Sequence, residues 1–470
     1  MRRGRLLALG TGAVASVALV TGSFTAGYAL GGPGEGADGG TTVAPPAALT
    51  TSPTPSPTPT VRVVPKTAPK AAPLRTCSIV AAASDPRLAE FQGRVVLTKT
   101  GETLFDRGGT KASRTASVLK VLTTAAALEV LGPDRRLVTK VVRGSEPGQV
   151  VLVGGGDPTL SRTPKGGATV YPGAPRLSTL AAAVKKAWGA DEPITEVVLD
   201  SSYFGGDTYH ESWDPRVRTD GYIPKITALM VDGDRDEPGL RKSFRSTDPV
   251  LRAGKAFATA LGGSVSVSKG KAPKGAEVLG QVKSQPVSVL VQQTLIFSDN
   301  AISEALARVT AIEAGAGNRF GDLQEGVVGG LKAYGISTKD VTIVDGSGLS
   351  RKNKVPPKVV TALLTKVLRQ RKGDLAAVYE GLPIAGRTGS LSYADRFAGA
   401  SARARGAVRA KTGWITSGYT LAGLVKAKDG KWLSFAFYAL DDREVSASAK
   451  TALDALAARV WDCGGNTSNR

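Results

Sequence analysis

The first residues in this sequence that suit catalysis are a serine and a lysine three positions apart. Ser117 and Lys120 lie in an apolar run over residues 116–131. If this run forms a helix, the spacing puts both side chains on one face, one turn apart. Burial lowers the pKa of a lysine, and such a lysine can accept the proton of a neighbouring serine. We therefore predict that Ser117 is a nucleophile and Lys120 is its base.

Two short motifs follow this pair along the chain, S-D-N at 298–300 and K-T-G at 411–413. The first precedes a helical pattern, and the second precedes an alternating apolar pattern that is typical of a strand. Single motifs of this kind arise by chance, since Ser266 and Lys269 also match S-x-x-K. The order S-x-x-K, S-x-N, K-T-G is more informative, because it is the order of penicillin-binding proteins and serine β-lactamases.

The third motif has a rival, R-T-G at 387–389. We prefer K-T-G at 411–413, because the apolar alternation continues on its C-terminal side, as a strand along an active site requires.

Composition narrows the class of protein further. The chain has 470 residues with one His, two Cys, 61 Lys plus Arg and 40 Asp plus Glu, which gives a formal net charge of +21. A Ser-His-Asp triad would have to use His210, and two cysteines exclude a zinc-finger array. We expect no metal and no cofactor. The basic charge suits an anionic polymer of the cell envelope, and we expect no nucleic-acid partner because basic–aromatic interleaving is missing from the sequence.

The N-terminal residues predict export from the cytoplasm. Arginines precede an uncharged run over 6–30, so residues 1–30 are either a membrane anchor or a cleaved signal peptide. Both alternatives place the rest of the chain outside the cytoplasm. Residues 31–75 are rich in Pro and Thr and predict a disordered, extended linker. We expect an extracytoplasmic envelope protein, membrane-anchored or secreted.

The rest of the sequence predicts one domain that is split by another. Residues 76–137 and 287–465 have the same mixture of helical and alternating patterns, whereas residues 138–286 consist of short apolar runs between turn residues. We predict a mainly β domain inserted into an α/β (α+β) domain whose antiparallel sheet is flanked by helices. Cys77 and Cys463 bracket this part of the chain, and we predict that they form a disulfide, as cysteine pairs outside the cytoplasm tend to do.

Four segments carry the clearest patterns. Residues 93–106 predict a hairpin, and residues 116–131 predict a central helix, since they are apolar on nearly all faces. Residues 407–440 alternate as antiparallel strands, and residues 451–461 predict a final helix.

With these motifs and patterns, the sequence resembles the D-alanyl-D-alanine carboxypeptidase/endopeptidase family of class C, low-molecular-mass penicillin-binding proteins. The resemblance covers most of residues 90–462 and includes VGGGDPTL at 153–160, DGSGLS at 345–350 and GRTGSL at 386–391. It implies the transpeptidase-like fold shared with serine β-lactamases, with an insertion before the S-x-N loop. It also implies carboxypeptidase or endopeptidase activity on peptidoglycan stem peptides, and inhibition by β-lactams such as penicillin.

The resemblance assigns catalytic roles to four side chains. Ser117 would be acylated, and Lys120 would be its base. Ser298 would relay a proton between Lys411 and the leaving amine.

The same resemblance assigns substrate contacts to the K-T-G strand and to the S-x-N loop. Asn300 would hold the peptide amide of the substrate, and Lys411 and Thr412 of the motif that ends at Gly413 would favour its terminal carboxylate. The backbone N–H groups of the nucleophile and of Trp414 would form the oxyanion hole.

Trp414 departs from the family pattern, which has Thr or Ser after K-T-G. Its backbone N–H is kept, but the lost hydroxyl would weaken carboxylate binding unless Thr416 or Ser417 compensates.

Two other functions fit the same motifs. A serine β-lactamase would use the same nucleophile, but it needs an activated deacylating water, often positioned by Glu, and no Glu motif is evident in the sequence. A non-catalytic peptidoglycan-binding protein would suit Trp414 and the basic charge, but the intact catalytic motifs argue against it.

Overall fold

A computed structural model describes residues 74–190 and 192–469. The predicted anchor or signal segment at 1–30 and nearly all of the linker at 31–75 lie outside the described residues. Within the described ranges, no helix is both long and apolar enough to cross a membrane.

The strands divide between two main sheets and one short terminal pair. In chain order they are β1 Cys77–Ser78, β2 Glu90–Leu97, β3 Glu102–Arg107, β4 Val138–Arg143, β5 Gln149–Val153, β6 Glu196–Asp200, β7 Ser266–Lys269, β8 Val278–Lys283, β9 Val408–Ile415, β10 Gly418–Lys426, β11 Trp432–Leu440 and β12 Thr467–Ser468.

Of the eleven helices in the described residues, two precede the insertion, three lie within it and six follow it. In chain order they are α1 Val80–Ala83, α2 Leu119–Leu131, α3 Leu177–Trp188, α4 Arg216–Thr219, α5 Pro249–Leu261, α6 Val287–Phe297, α7 Asn300–Glu313, α8 Leu323–Ala333, α9 Pro357–Arg369, α10 Ala376–Gly381 and α11 Ala449–Cys463.

The main sheet is antiparallel and is covered by helices on both faces. Its order is β11-β10-β9, and the β2–β3 hairpin lies along β11, where Thr98 N donates to Trp432 O at 3.1 Å. Side chains of strand β11 alternate between two cores. Ala436 and Tyr438 face the core around α2, and Phe435 and Phe437 face the core around α11. Because both faces are buried, the strand is apolar except for the buried Ser434. The predicted hairpin, strands and final helix are confirmed.

Helix α2 runs through the middle of this domain. All its residues from Leu119 to Leu128 are buried, and it packs against α6, α7 and α8. A helix that is apolar on all faces must be surrounded by other elements, so the predicted central helix is confirmed.

The insertion between α2 and α6 contains a five-stranded mixed sheet of order β7-β6-β5-β4-β8. Strands β5, β6 and β7 are parallel, and β4 is antiparallel to both of its neighbours. Helices α3 and α5 cover one face, where Leu180 and Phe257 pack on Val141, Leu152 and Leu199. The boundaries of this inserted domain at 138 and 286 stay a prediction.

The two ends of the described chain meet. Cys77 and Cys463 form a disulfide, and β1 pairs in parallel with β12. The pairing extends the second part of the split domain slightly beyond the predicted end at 465, to Ser468.

Candidate active site

Ser117 lies in a short 3-10 turn, Ala116–Val118, that leads directly into α2. Ala116 has a φ of 46°, a left-handed conformation that non-glycine residues seldom adopt. Gly348 packs against the carbonyl of Ala116 so closely that a Cβ would overlap it. Strained backbone that its surroundings enforce is characteristic of functional sites, and here it fixes the position of Ser117.

Lys120 is the centre of a buried hydrogen-bond cluster. Its Nζ lies 2.9 Å from Ser117 Oγ, 2.6 Å from Asn300 Oδ1 and 2.7 Å from the carbonyl of Ser347. Complete burial lowers the pKa of Lys120 to about 8, against the opposing effect of Glu304 and other carboxylates. A lysine with this pKa, in contact with a serine hydroxyl, can act as a general base.

Two buried carboxylates support the loop that holds Lys120. Glu304 accepts hydrogen bonds from Gly346 N at 2.9 Å and from Ser347 N at 2.7 Å. Asp345 accepts from Gly348 N at 2.7 Å and from Trp213 Nε1 of the insertion at 2.8 Å. Burial, and then the charge of the neighbouring Asp345, raise the pKa of Glu304 to about 8. The loop at 345–350 is thus positioned by α7 and by the insertion together.

The S-x-N loop has a second unusual conformation. Ser298 is left-handed, with φ 55° and ψ 37°, and Asp299 caps α7 by accepting from Ile302 N at 3.0 Å. Arg235 of the insertion donates to Asp299 Oδ2 at 2.9 Å, and Tyr171 Oη donates to the same oxygen at 3.2 Å. Burial alone would raise the pKa of Asp299, but Arg235, the Ile302 N–H and Arg245 together outweigh it and the pKa is lowered, so the buried carboxylate stays ionised.

Asn300 is oriented by contacts on both ends of its amide. Its Oδ1 accepts from Lys120, and its Nδ2 donates to the carbonyl of Tyr222 of the insertion at 3.0 Å. The contacts that tie the insertion to active-site loops therefore include Trp213 to Asp345, Arg235 to the S-x-N loop, and the Tyr222 carbonyl to Asn300.

The K-T-G strand approaches the nucleophile closely because of its glycine. A Cβ on Gly413 would lie 2.9 Å from Ser117 N and 2.8 Å from Thr115 O, which is closer than real Cβ contacts. Lys411 is buried; burial, and then the charge of Lys120, lowers its pKa well below that of an exposed lysine. Its Nζ donates to the carbonyl of Thr412 at 2.7 Å, and within the described residues Ser298 makes no hydrogen bond with it.

A cleft of about 890 Å³ lies above these groups. Ser117, Ser298, Asn300, Thr412, Gly413 and Trp414 all line it. Lys120 and Lys411 lie beneath it, with no exposed surface. The structure therefore brings every predicted motif residue to one place.

Trp414 forms part of the wall of the cleft rather than part of a core. Its side chain is 48% exposed, with its ring centroid 6.1 Å from that of Tyr222 and 6.4 Å from that of Tyr419. Of the two residues that could replace its missing hydroxyl, Thr416 lines the cleft and Ser417 is buried away from it.

Sequence reasoning missed four residues of this site: Glu304, Tyr222, Arg235, and Ser390, which lines the cleft with its Oγ 2.7 Å from Thr412 Oγ1. A signal existed for Glu304, because it follows Asn300 by four residues in α7, and the two therefore share a helix face. No local pattern marks Tyr222 or Arg235, since they reach the site only through the packing of the insertion.

Comparisons with known proteins agree with this arrangement. The family model described as "D-Ala-D-Ala carboxypeptidase 3 (S13) family" matches residues 76–243 and 234–460. A protein named carboxypeptidase DacB from Mycolicibacterium smegmatis is 38% identical over 393 residues, which are 82% of this chain and 84% of that protein. A carboxypeptidase of Mycobacterium tuberculosis is 35% identical over 395 residues, 83% of this chain and 84% of the relative.

Solved structures show the same fold. The crystal structure of penicillin-binding protein 4 (dacB) from Haemophilus influenzae aligns with a TM-score of 0.68 at 20% identity, covering 82% of this chain and 99% of that one. The predicted transpeptidase-like fold with an inserted β domain is confirmed.

Proposed function

Because this chain belongs to the D-Ala-D-Ala carboxypeptidase 3 (S13) family and is a serine-type D-Ala-D-Ala carboxypeptidase, we propose that its reaction proceeds through an acyl-enzyme on Ser117. The contact that carries this proposal is the 2.9 Å distance between Lys120 Nζ and Ser117 Oγ, beneath a cleft that is open to substrate. Neutral Lys120 removes the hydroxyl proton as Ser117 Oγ attacks the carbonyl carbon of the penultimate D-Ala.

The oxyanion that forms in this step is stabilised by backbone N–H groups of Ser117 and Trp414. The close packing of Gly413 on the Ser117 backbone supports this assignment, because it holds the two N–H groups on neighbouring elements. Collapse of the intermediate breaks the peptide bond, and the proton that Lys120 accepted passes by way of Ser298 to the leaving D-Ala amine, which returns Lys120 to its neutral form. Asn300 binds the peptide amide of the substrate.

Water then completes the reaction. It attacks the ester carbon, Lys120 accepts a proton from it, and Ser117 Oγ leaves with a proton, which restores the free enzyme. The products are D-Ala and a stem peptide that is shorter by one residue.

The substrate and location follow from the family. The substrate is the D-Ala-D-Ala end of peptidoglycan stem peptides, which places the enzyme in the extracytoplasmic cell envelope, and the segment at 6–30 anchors or exports it. A β-lactam acylates Ser117 in the same way, since its ring mimics the D-Ala-D-Ala bond. Binding of a β-lactam by the Haemophilus protein, whose structure is solved in complex with one, supports this.

Intact mass after incubation with benzylpenicillin tests the proposal on the full chain. We expect one stable penicillin adduct on the wild-type protein and on Ser266→Ala, which removes the serine of the chance S-x-x-K match, and none on Ser117→Ala. A folded wild-type protein that forms no adduct would contradict the proposal and favour a non-catalytic wall-binding role. Rapid turnover of penicillin would instead indicate a β-lactamase.

A further inference from the structure

The rival motif at 387–389 lies beside the K-T-G strand. Its segment follows the outer edge of β9, where Ala385 N donates to Val408 O at 3.0 Å and Ala410 N donates to Pro383 O at 2.9 Å. Because this pairing is antiparallel, the segment starts beside K-T-G, with Pro383 opposite Ala410, and the turn that follows brings Gly389 back against Pro383. Neither the motif comparison nor the reaction above gives this segment a role.

A glycine fixes the turn at the end of this segment. Gly389 has a φ of 58°, and a Cβ on it would lie 2.5 Å from the carbonyl of Ile296 in α6. Leu391 is fully buried on the other side of the turn. Ser390 is therefore held between α6, which ends just before Ser298, and the strand β9.

The side chain of Ser390 reaches the cleft and pairs with Thr412. The two hydroxyl oxygens are 2.7 Å apart, and both residues line the cleft together with Ser117. In such a pair one hydroxyl donates to the other, and the second hydroxyl keeps a free proton for an acceptor outside the pair. Both hydroxyls can also turn to the two oxygens of one carboxylate.

We propose that Ser390 binds the terminal carboxylate of the substrate together with Thr412, and supplies the hydroxyl that Trp414 lacks. This inference rests on the proposed function, since it concerns the same cleft and the same D-Ala-D-Ala end. It makes Ser390 a specificity-determining residue that selects substrates with a free C-terminal carboxylate over extended or amidated ones.

The other hydroxyls near the strand are less well placed. Ser417 has no exposed surface. Thr416 lines the cleft, but it lies past the end of β9, in the turn to β10, and no hydrogen bond joins it to Thr412 in the described part of the chain. Ser390 is hydrogen-bonded to Thr412 and is therefore the partner that the geometry favours.

The test compares substrates with and without the carboxylate. One peptide ends in D-Ala-D-Ala and its twin ends in the D-Ala-D-Ala amide; benzylpenicillin and its methyl ester form a second pair. Ser390→Ala is compared with Ser392→Ala, which removes an exposed hydroxyl of the same turn that donates to Gly389 O and does not line the cleft. Each full-length variant is assayed for kcat/KM on the peptides and for the rate of acylation by the two penicillins.

We expect Ser390→Ala to lower kcat/KM for the free-acid peptide, and acylation by benzylpenicillin, by roughly tenfold, since hydrogen bonds to charged groups are the strong ones. The amide and the methyl ester should react within about twofold of the wild-type rate. Ser390→Thr should keep the wild-type preference, and Trp414→Thr in the Ser390→Ala background should restore it.

Other outcomes overturn the inference. Equal losses on both members of a pair would mean that Ser390 only supports the fold of the cleft, and no loss on either would mean that it does not touch the carboxylate. A wild-type protein that no penicillin acylates would instead show that the proposed function itself has failed.

Discussion

Arg235 of the insertion forms an ion pair with Asp299, the middle residue of the S-x-N motif, with 2.9 Å between Nη2 and Oδ2. Both side chains are almost fully buried. The pair lies between two residues with proposed roles in the reaction, because Ser298 precedes Asp299 and Asn300 follows it. The insertion is thus joined to the catalytic loop by a buried charge pair.

We expect Arg235→Lys to slow acylation by penicillin by roughly tenfold, because lysine keeps the charge but loses the planar fork that contacts both Asp299 and Tyr171. Stopped-flow acylation, with the thermal midpoint measured alongside, checks this. Arg252→Lys makes the same change in the same insertion, in an arginine that pairs with the buried Asp234 and the exposed Asp236 and not with the S-x-N loop, and it should acylate at the wild-type rate. A destabilised Arg235→Lys protein that acylates normally would show that the pair serves only the fold.

The acylation rate should depend on pH through Lys120. Its pKa is lowered by burial to about 8, and the base must be neutral to accept the proton of Ser117. The rate should therefore rise about tenfold per pH unit below pH 8 and level off above it. Lys269→Ala, in the chance S-x-x-K match, should leave the profile unchanged. The measurement covers roughly pH 6 to 9, on either side of the Lys120 pKa. An acylation rate that stays constant over this range would rule out a base that titrates near pH 8.

Glu304→Gln should move this pH profile to lower pH. The Glu304 carboxylate is the charge that most favours protonated Lys120, followed by Asp345 and Asp299, so its removal makes the lysine easier to deprotonate. Because the pKa of Glu304 is itself raised to about 8, its carboxylate is only partly ionised near this midpoint, and we expect a shift of less than about one pH unit. Glu325→Gln, an exposed residue at the start of α8, controls for the loss of a carboxylate and should not shift the midpoint. An unchanged midpoint in a folded Glu304→Gln protein would show that this carboxylate does not act on Lys120.

Gly413→Ala should reduce acylation roughly a hundredfold, because the new Cβ pushes β9 away from the Ser117 backbone and displaces the oxyanion donors. Gly329→Ala in α8, where a Cβ meets nothing within 4 Å, is the matched control and should be fully active. Acylation rates and circular dichroism of both variants measure this. Wild-type acylation by Gly413→Ala would mean that the strand can move without loss of the oxyanion hole.

The sequence predicts the parts of this site that depend on local pattern. Ser117 and Lys120 share a face of one helix, and the K-T-G residues follow the alternation of one strand, so spacing alone places each group correctly relative to its neighbours. The central helix and the terminal strands could be predicted because they also carry apolar residues on the face that a surface helix or strand would leave polar.

The remaining contacts depend on how distant segments pack. Arg235 reaches Asp299 from 64 residues away, and Ser390 reaches Thr412 from 22 residues away, and neither pair leaves a periodic signal. Ser390 directly follows R-T-G at 387–389, the motif that the sequence offers as a rival to K-T-G. Only the tertiary structure shows that the two segments lie side by side and can serve the same cleft.

The meeting of β1 with β12, secured by the disulfide between Cys77 and Cys463, makes the catalytic body a closed ring of residues. The order of the motifs along the chain therefore depends on where the chain termini lie and not on the geometry of the cleft. A circular permutant with its termini in the exposed turn between β7 and β8 would keep every contact of the cleft.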